Sequence, residues 1–107
     1  MITRADRQSL DCLVRFTDEE GLTGEGRLFN LSIGGCALHS TTPVAEDMLL
    51  SLVLQLTEKA APLQIEMARV RWVRRQEFGV EFLFIYDKER KVLLRWLTAA
   101  SFQNKAA

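Results

Sequence analysis

Most of the chain alternates between apolar and polar residues with a period of two, which is the pattern of a half-buried β-strand. The first alternating segment carries apolar side chains at Leu10, Cys12, Val14 and Phe16. A glycine-rich turn signal, DEEGLTGEG, separates it from two short segments, GRLFNL and GCALHS. After a loop that contains Pro43, a longer segment places on one face Leu50, Leu52, Leu54 and Leu56. These segments predict four consecutive strands.

The next segment changes phase part-way along its length. Its apolar residues lie on odd positions as far as Met67 and on even positions from Ala68 onward. A one-residue shift turns every later side chain to the other face, so the pattern predicts a β-bulge near Met67–Ala68. A turn between Arg74 and Glu77 then leads into a sixth strand, whose predicted core-facing residues are Phe78, Val80, Phe82 and Phe84.

After Tyr86 the period becomes that of a helix. Asp87 suits the N-cap position, and helical spacing relates Val92, Leu93, Trp96, Leu97 and Ala100, a stripe that we interpret as packed on the strands. Six short strands in so small a chain hide their edges best by closing on themselves. The predicted fold is therefore all-β with a C-terminal helix: a six-stranded antiparallel β-barrel followed by one α-helix. This single domain is expected over 10–100, with an arm over 1–9 and a flexible tail over 101–107.

Composition narrows the possible partners. The 107 residues include 14 basic and 14 acidic ones, and a net charge of zero argues against a dedicated duplex-DNA or membrane-surface binder. The N-terminus lacks the apolar run of a secretory signal, and the run MLLSLVLQL is shorter than the roughly 20 residues that span a bilayer. We therefore expect a cytoplasmic protein with no membrane insertion.

Residues suited to catalysis or metal binding are few. Cys12 and Cys36 form no CxxC pair and fit buried free thiols, while His39 is the one histidine. No metal, no cofactor and no enzymatic activity are therefore expected. Small barrels also bind single-stranded nucleic acid with basic grooves and stacked aromatic rings. The neutral charge and the core-facing parity of Phe78, Phe82 and Phe84 argue against a DNA or RNA partner.

The stretch NLSIGG, residues 30–35, lies between the second and third predicted strands. A glycine pair at a strand junction can adopt positive φ and lets the backbone approach a ligand closely. Asn30 offers a donor and an acceptor that suit the edge of a purine base, and the Ser32 hydroxyl points to the same side of an extended chain. These residues could form a polar cradle for an anion or a base. A plain turn that closes a hairpin explains them as well, and local chemistry by itself favours the turn.

Arginines form two further groups. Arg4 and Arg7 lie ahead of the first strand, where they could close over a ligand on the barrel or simply form a solvated terminus. The second group alternates with apolar residues late in the chain and comprises Arg69, Arg71, Arg74 and Arg75. It fits either a solvent-facing strand side or a strand from which one arginine lines the ligand surface.

The stretch NLSIGGCAL and its surroundings follow the pattern of a known family. Its fixed positions [D/N]xSxxGxxL are matched by Asn30, Ser32, Gly35 and Leu38, and ARVRWVRRQEFGVEF looks like the late V-x-W and G-V-x-F strands of the same family. With arginines before the first strand and a helix at the end, the chain resembles a PilZ domain from about Arg4 to Ala99. PilZ domains are six-stranded β-barrels that act as receptors for the bacterial second messenger cyclic di-GMP, and the resemblance implies that ligand here.

Carried over by position, the resemblance implies that Asn30 and Ser32 contact a guanine and the nearby backbone of the ligand. Gly34 and Gly35 would leave room for it, and Arg4 and Arg7 would clamp the other guanine and the phosphates.

The family's arginine motif is RxxxR, and Thr3 stands at its first position in this chain, with Asp6 as an added negative charge. Two functions follow. One is a single-domain cyclic di-GMP receptor that signals through ligand-dependent contacts with an unidentified effector protein. The other is a PilZ-like docking adaptor, for instance in pilus or motility machinery, that has lost the ligand.

Overall fold

The computed structural model describes residues 12–57 and 61–106, and these form six strands and one helix in the predicted order. The elements are β1 (Cys12–Asp18), β2 (Thr23–Ser32), β3 (Gly35–His39), β4 (Leu49–Gln55), β5 (Leu63–Arg74), β6 (Glu77–Phe84) and α1 (Asp87–Ala106). Every strand pairing is antiparallel, and β1 pairs with both β2 and β4. The sheet therefore closes in the order β1-β2-β3-β6-β5-β4. The predicted barrel with one C-terminal helix is confirmed.

The interior of the barrel is filled by alternate residues of each strand. In β1 the buried positions are Cys12, Val14 and Phe16, as the alternation predicts, while Leu10 lies outside the described residues. The rings of Phe16 and Phe78 meet edge to face across the core, with their centroids 5.3 Å apart. Other strands contribute Leu28, Leu31, Leu38, Leu52, Leu54, Leu63, Ile65 and Val70. Because a one-residue slip would expose such a set, burial specifies the register.

The β-bulge predicted in the fifth strand is present. On the β4 side, Leu50 pairs with Ala68 whereas Leu52 pairs with Ile65, so β5 carries an extra residue between them. The pairing of β5 with β6 also shifts between Met67 and Ala68. As a result Ala68 is fully buried, and Met67 turns outward.

A second irregularity in β5 was not predicted and lies between Val70 and Trp72. Beyond it Trp72 pairs with Gly79 of β6, and its indole ring covers that glycine so closely that a Cβ there would collide with the ring. The chain then turns at Arg75 and Gln76, within the predicted interval.

In the last strand, β6, the buried residues differ in part from the predicted ones. Phe78 and Val80 are buried, but Phe82 is half-buried and Phe84 is exposed, with its ring against that of Tyr86. The reason is that β3 pairs with β6 only as far as Glu81, so the end of β6 continues past the closed part of the barrel. The predicted core position was therefore wrong for Phe84.

Helix α1 packs on the barrel through a narrower face than its sequence predicts. Leu93 is fully buried and Trp96 and Leu97 pack against the core, whereas Val92 is exposed and lies off this face. Glu89 accepts a hydrogen bond from the backbone N–H of Gln64 through Oε1 at 3.0 Å, which ties the first turn to β5.

The ends of the helix also differ from the expectation. Its first hydrogen bond runs from Arg90 N–H to the Tyr86 carbonyl, which makes Tyr86 the cap and Asp87 the first helical residue. The helix continues to Ala106, past the start of the tail expected over 101–107, and the flexibility of that tail stays a prediction. The arm expected over 1–9 lies outside the described residues. No helix in the described part of the chain is both long and apolar enough to cross a membrane.

Candidate functional site

The residues of the NLSIGG stretch form a tight β-hairpin. Strand β2 ends at Ser32, β3 begins at Gly35, and these two residues pair across a two-residue turn formed by Ile33 and Gly34. Of the two interpretations of this stretch, the hairpin turn is therefore present. The ligand cradle stays a prediction, and the two are compatible because the tip of the hairpin is exposed.

Asn30 reaches the outer surface because β2 contains a bulge. Leu28 pairs with Leu38 and Asn30 with Ala37, so the two β2 residues are two apart while their partners are adjacent. Strict alternation from the buried Leu28 would turn Asn30 into the core. The extra residue instead buries Leu31 and exposes both Asn30 and Ser32. No feature of the sequence pattern predicted this bulge, although it orients the two polar side chains of the motif.

The Ser32 hydroxyl holds the turn in shape. It accepts a hydrogen bond from Gly34 N–H and donates one to the Gly35 carbonyl, both at 3.3 Å. The turn is further attached to β6, because Phe82 N–H donates to the Gly34 carbonyl at 2.8 Å. Hydrogen bonds within the turn and from the neighbouring strand thus stabilise the hairpin tip.

The structure gives one glycine of the pair a steric role, and the room that both would leave for a ligand stays a prediction. Neither Gly34 nor Gly35 has positive φ, so that part of the expectation was wrong. A Cβ on Gly35 would instead collide with the backbone carbonyl of Val80, whereas one on Gly34 would meet nothing within 4 Å. Gly35 is required for the close approach of β3 to β6, and Gly34 is sterically free.

The basic cluster in and after β5 lies on the outside of the barrel. Arg71, Arg74 and Arg75 are exposed; the guanidinium of Arg74 lies 5.5 Å from the ring centroid of Trp72. Arg71 pairs with Glu81 of β6, with Nε 3.4 Å from Oε1. Arg69 differs from the others because it is half-buried. Arg4 and Arg7, the other predicted ligand contacts, lie outside the described residues.

The remaining candidates for catalysis or metal binding are the histidine and the two cysteines. His39 ends β3 and pairs with Glu77 on β6, with Nδ1 3.5 Å from Oε2, while its ring lies against Phe29. Cys12 and Cys36 are both buried, as expected. Within the described ranges, His, Cys, Asp and Glu side chains form no group of three that could hold a metal ion.

Burial makes Cys36 inert. Desolvation raises the pKa of its thiol to about 12. An exposed thiol ionises at about pH 8.5, whereas this thiol stays neutral at that pH in the folded chain. The contribution of this group to stability is full below about pH 8.5 and is lost as the pH rises toward 12, because only the unfolded chain releases the proton in that interval.

We accordingly expect Cys36 in the folded Cys12→Ala variant to resist alkylation by iodoacetamide at pH 8, since the thiolate is the reactive form. The same variant in guanidinium chloride should react at the rate of a free thiol. Equal rates in the two conditions would contradict the buried position of Cys36.

Comparison with known proteins decides the family. The model of the PilZ domain matches residues 3–99. The chain belongs to the PilZ domain family. PilZ domains are receptors for cyclic di-GMP, and the match includes both the hairpin and the arginine-bearing segment ahead of β1. A comparison with curated protein sequences finds no significant match.

Solved structures share the PilZ fold at low identity. The PilZ domain of CeSA from a cellulose-synthesizing bacterium superposes with a TM-score of 0.64 at 13% identity, over 83% of this chain and 91% of that one. MrkH of K. pneumonia in its apo state gives 0.74 at 21% identity, over 90% and 49%. YcgR of Escherichia coli, solved in complex with c-di-GMP, gives 0.72 at 15% identity, over 89% and 43%. The chain thus spans about half the length or less of MrkH and YcgR.

Proposed function

We propose that this PilZ domain is a cyclic di-GMP receptor that binds the messenger on the outer surface of the barrel beside the β2–β3 hairpin. The observation that carries the proposal is the outward placement of Asn30 and Ser32 next to Gly35, in a domain whose family binds this ligand. The Asn30 amide can both donate to and accept from a guanine edge. Ser32 keeps its hydroxyl at the exposed hairpin tip, within reach of the ligand backbone.

Arg4 and Arg7 complete the proposed site by clamping the other guanine and the phosphates. The register of β1 supports this role, because Cys12 lies opposite Leu28 in an antiparallel pair. Strand β1 therefore begins beside the part of β2 that leads to Asn30. Arginine suits the task because its guanidinium binds phosphate or the guanine O6 and N7 atoms through two parallel hydrogen bonds.

The output of such a receptor is a contact with an effector protein that depends on the ligand. Closure of the arginine arm over the bound ligand would change the surface that the effector meets, which is a common switching device. We place the receptor in the cytoplasm, where thiols such as Cys12 and Cys36 stay reduced. The role is that of a receptor rather than an enzyme.

Thr3 favours a second candidate function. It occupies the first position of the family's RxxxR motif, and a missing charge-assisted hydrogen bond costs about 1.5–3 kcal/mol of binding energy. Asp6 adds a negative charge near a dianionic ligand. A chain in which these losses abolish binding would act only as a protein-docking adaptor.

Nuclear magnetic resonance distinguishes the two functions. On titration with cyclic di-GMP, the receptor should show amide shift changes concentrated in residues 4–8 and 30–36, because these segments contact the ligand. The segment around Arg75, at the other end of the β6 ladder, provides an internal control and should stay unchanged. No response at millimolar ligand would favour the adaptor.

A further inference from the structure

A continuous row of paired residues leads from the hairpin across the outside of the barrel. Ser32 of β2 pairs with Gly35 of β3, Gly35 pairs with Glu81 of β6, and Glu81 pairs with Arg69 of β5. Neighbouring strands are about 4.8 Å apart, so the backbone of Arg69 lies two strand spacings, about 10 Å, from that of Gly35. The row thus brings an arginine from a distant part of the sequence to the same surface as the motif.

Both side chains beyond Gly35 in this row face outward. Glu81 lies between the buried Val80 and the half-buried Phe82, and Arg69 lies between the buried Ala68 and Val70. Because neighbouring side chains on a strand point to opposite faces, Glu81 and Arg69 project from the barrel on the face that carries Asn30 and Ser32.

Arg69 is half-buried, and no acidic partner for its charge lies among the residues that the structure describes. Its Nε atom is the one buried side-chain nitrogen or oxygen within the described ranges that makes no hydrogen bond. The neighbouring carboxylate of Glu81 is bound to Arg71 instead, and Arg69 has no ion pair in that part of the chain. A half-buried guanidinium without an acidic partner attracts an anion, because the hydrogen bonds that arginine donates to a phosphate are charge-assisted.

The charged side chains along the row together favour a dianionic ligand. Glu81 repels a phosphate beside Gly35, but Arg69 and Arg71 flank it, so the three side chains together carry one net positive charge. Arg71 already has Glu81 as a partner at 3.4 Å. Arg69 is therefore the residue of this group whose charge is available to a ligand.

We propose that Arg69 is a further ligand-binding residue of the site and binds a phosphate of a cyclic dinucleotide that rests on Asn30 and Ser32. This inference rests on the proposed function and adds to it a contact from β5. Arg69 thereby supplies part of the positive charge that Thr3 leaves out of the arginine arm.

Calorimetric titration with cyclic di-GMP tests the assignment in three variants of the full chain. Arg69→Gln should weaken binding about tenfold, the effect of losing one charge-assisted hydrogen bond, and should reduce the dependence of affinity on salt. Arg75→Gln removes the same charge from the turn at the far end of β5 and should leave the affinity within about twofold, because surface charges more than a Debye length away are screened. Glu81→Gln should tighten binding, because it removes a repulsive charge and releases Arg71.

The outcomes separate this inference from the proposed function. Binding by the unchanged chain with equal affinity in Arg69→Gln would overturn the role of Arg69 alone, as would equal losses in Arg69→Gln and Arg75→Gln. No binding by the unchanged chain would overturn both. If Arg69→Gln fails to fold, Arg69→Lys takes its place: it retains the charge but cannot form two parallel hydrogen bonds to a phosphate, so it should bind more weakly than the unchanged chain, and equal affinity would overturn the role of Arg69. Weaker or unchanged binding by Glu81→Gln would contradict the charge arrangement.

Discussion

Replacement of Asn30 by alanine is expected to weaken the binding of cyclic di-GMP by at least about tenfold, or about 1.4 kcal/mol. The variant loses an amide that both donates and accepts and that the bulge of β2 exposes on the outer surface. Alanine at this exposed position removes no core contact, so the fold should be retained. Arg7→Ala should show a loss of at least the same size, because it removes a charge that the proposed site uses to bind the phosphates.

The matched control is Asn30→Asp, which retains the oxygen acceptor and is the other residue that the family motif allows. Its affinity should stay close to that of the unchanged chain. All affinities are measured by calorimetry on chains whose folded state is verified by circular dichroism. If Asn30→Ala and Arg7→Ala both bind as well as the unchanged chain, the assignment of the site is wrong.

Gly35→Ala is expected to destabilise the barrel, by about 1–3 kcal/mol in the free energy of unfolding. The added methyl group collides with the Val80 carbonyl, and the backbone of a strand that is paired on both sides cannot move aside as the end of a flexible side chain can. Relief of the clash requires β3 and β6 to separate beside the hairpin. The measurement is chemical denaturation, with the transition midpoint and slope compared between variants.

Gly34→Ala is the control for this effect, because a Cβ at that position meets nothing within 4 Å and φ is not positive. Its stability should stay within about 0.5 kcal/mol of that of the unchanged chain. If the two alanine variants are equally stable, the close approach of β3 to β6 at Gly35 is not as described.

The fold was largely predictable because period-two alternation directly reports which face of a strand is buried. Even the bulge near Met67 was visible, since the phase of the apolar residues changes there. The bulge of β2 was not visible. Phe29 is apolar beside Leu28, so the alternation does not show where the phase changes before Leu31. Phe84 was misassigned because alternation says nothing about where a strand leaves the closed part of a barrel.

The candidate site was predictable only in part. The Asn30 and Ser32 positions follow from a local motif, and the hairpin between β2 and β3 follows from the strand pattern around it. The requirement for Gly35 depends on a carbonyl of β6, and the position of Arg69 depends on pairing across three strands. Gly35 is more than 30 positions away from both Val80 and Arg69 along the chain, so no local pattern contains either relationship.

Isothermal titration of the full chain with cyclic di-GMP at physiological salt shows whether this PilZ domain is a receptor for the messenger. We expect saturable binding that Asn30→Ala weakens at least about tenfold. No detectable binding at millimolar ligand, by a chain shown to be folded, would exclude the receptor and leave the docking adaptor as the function.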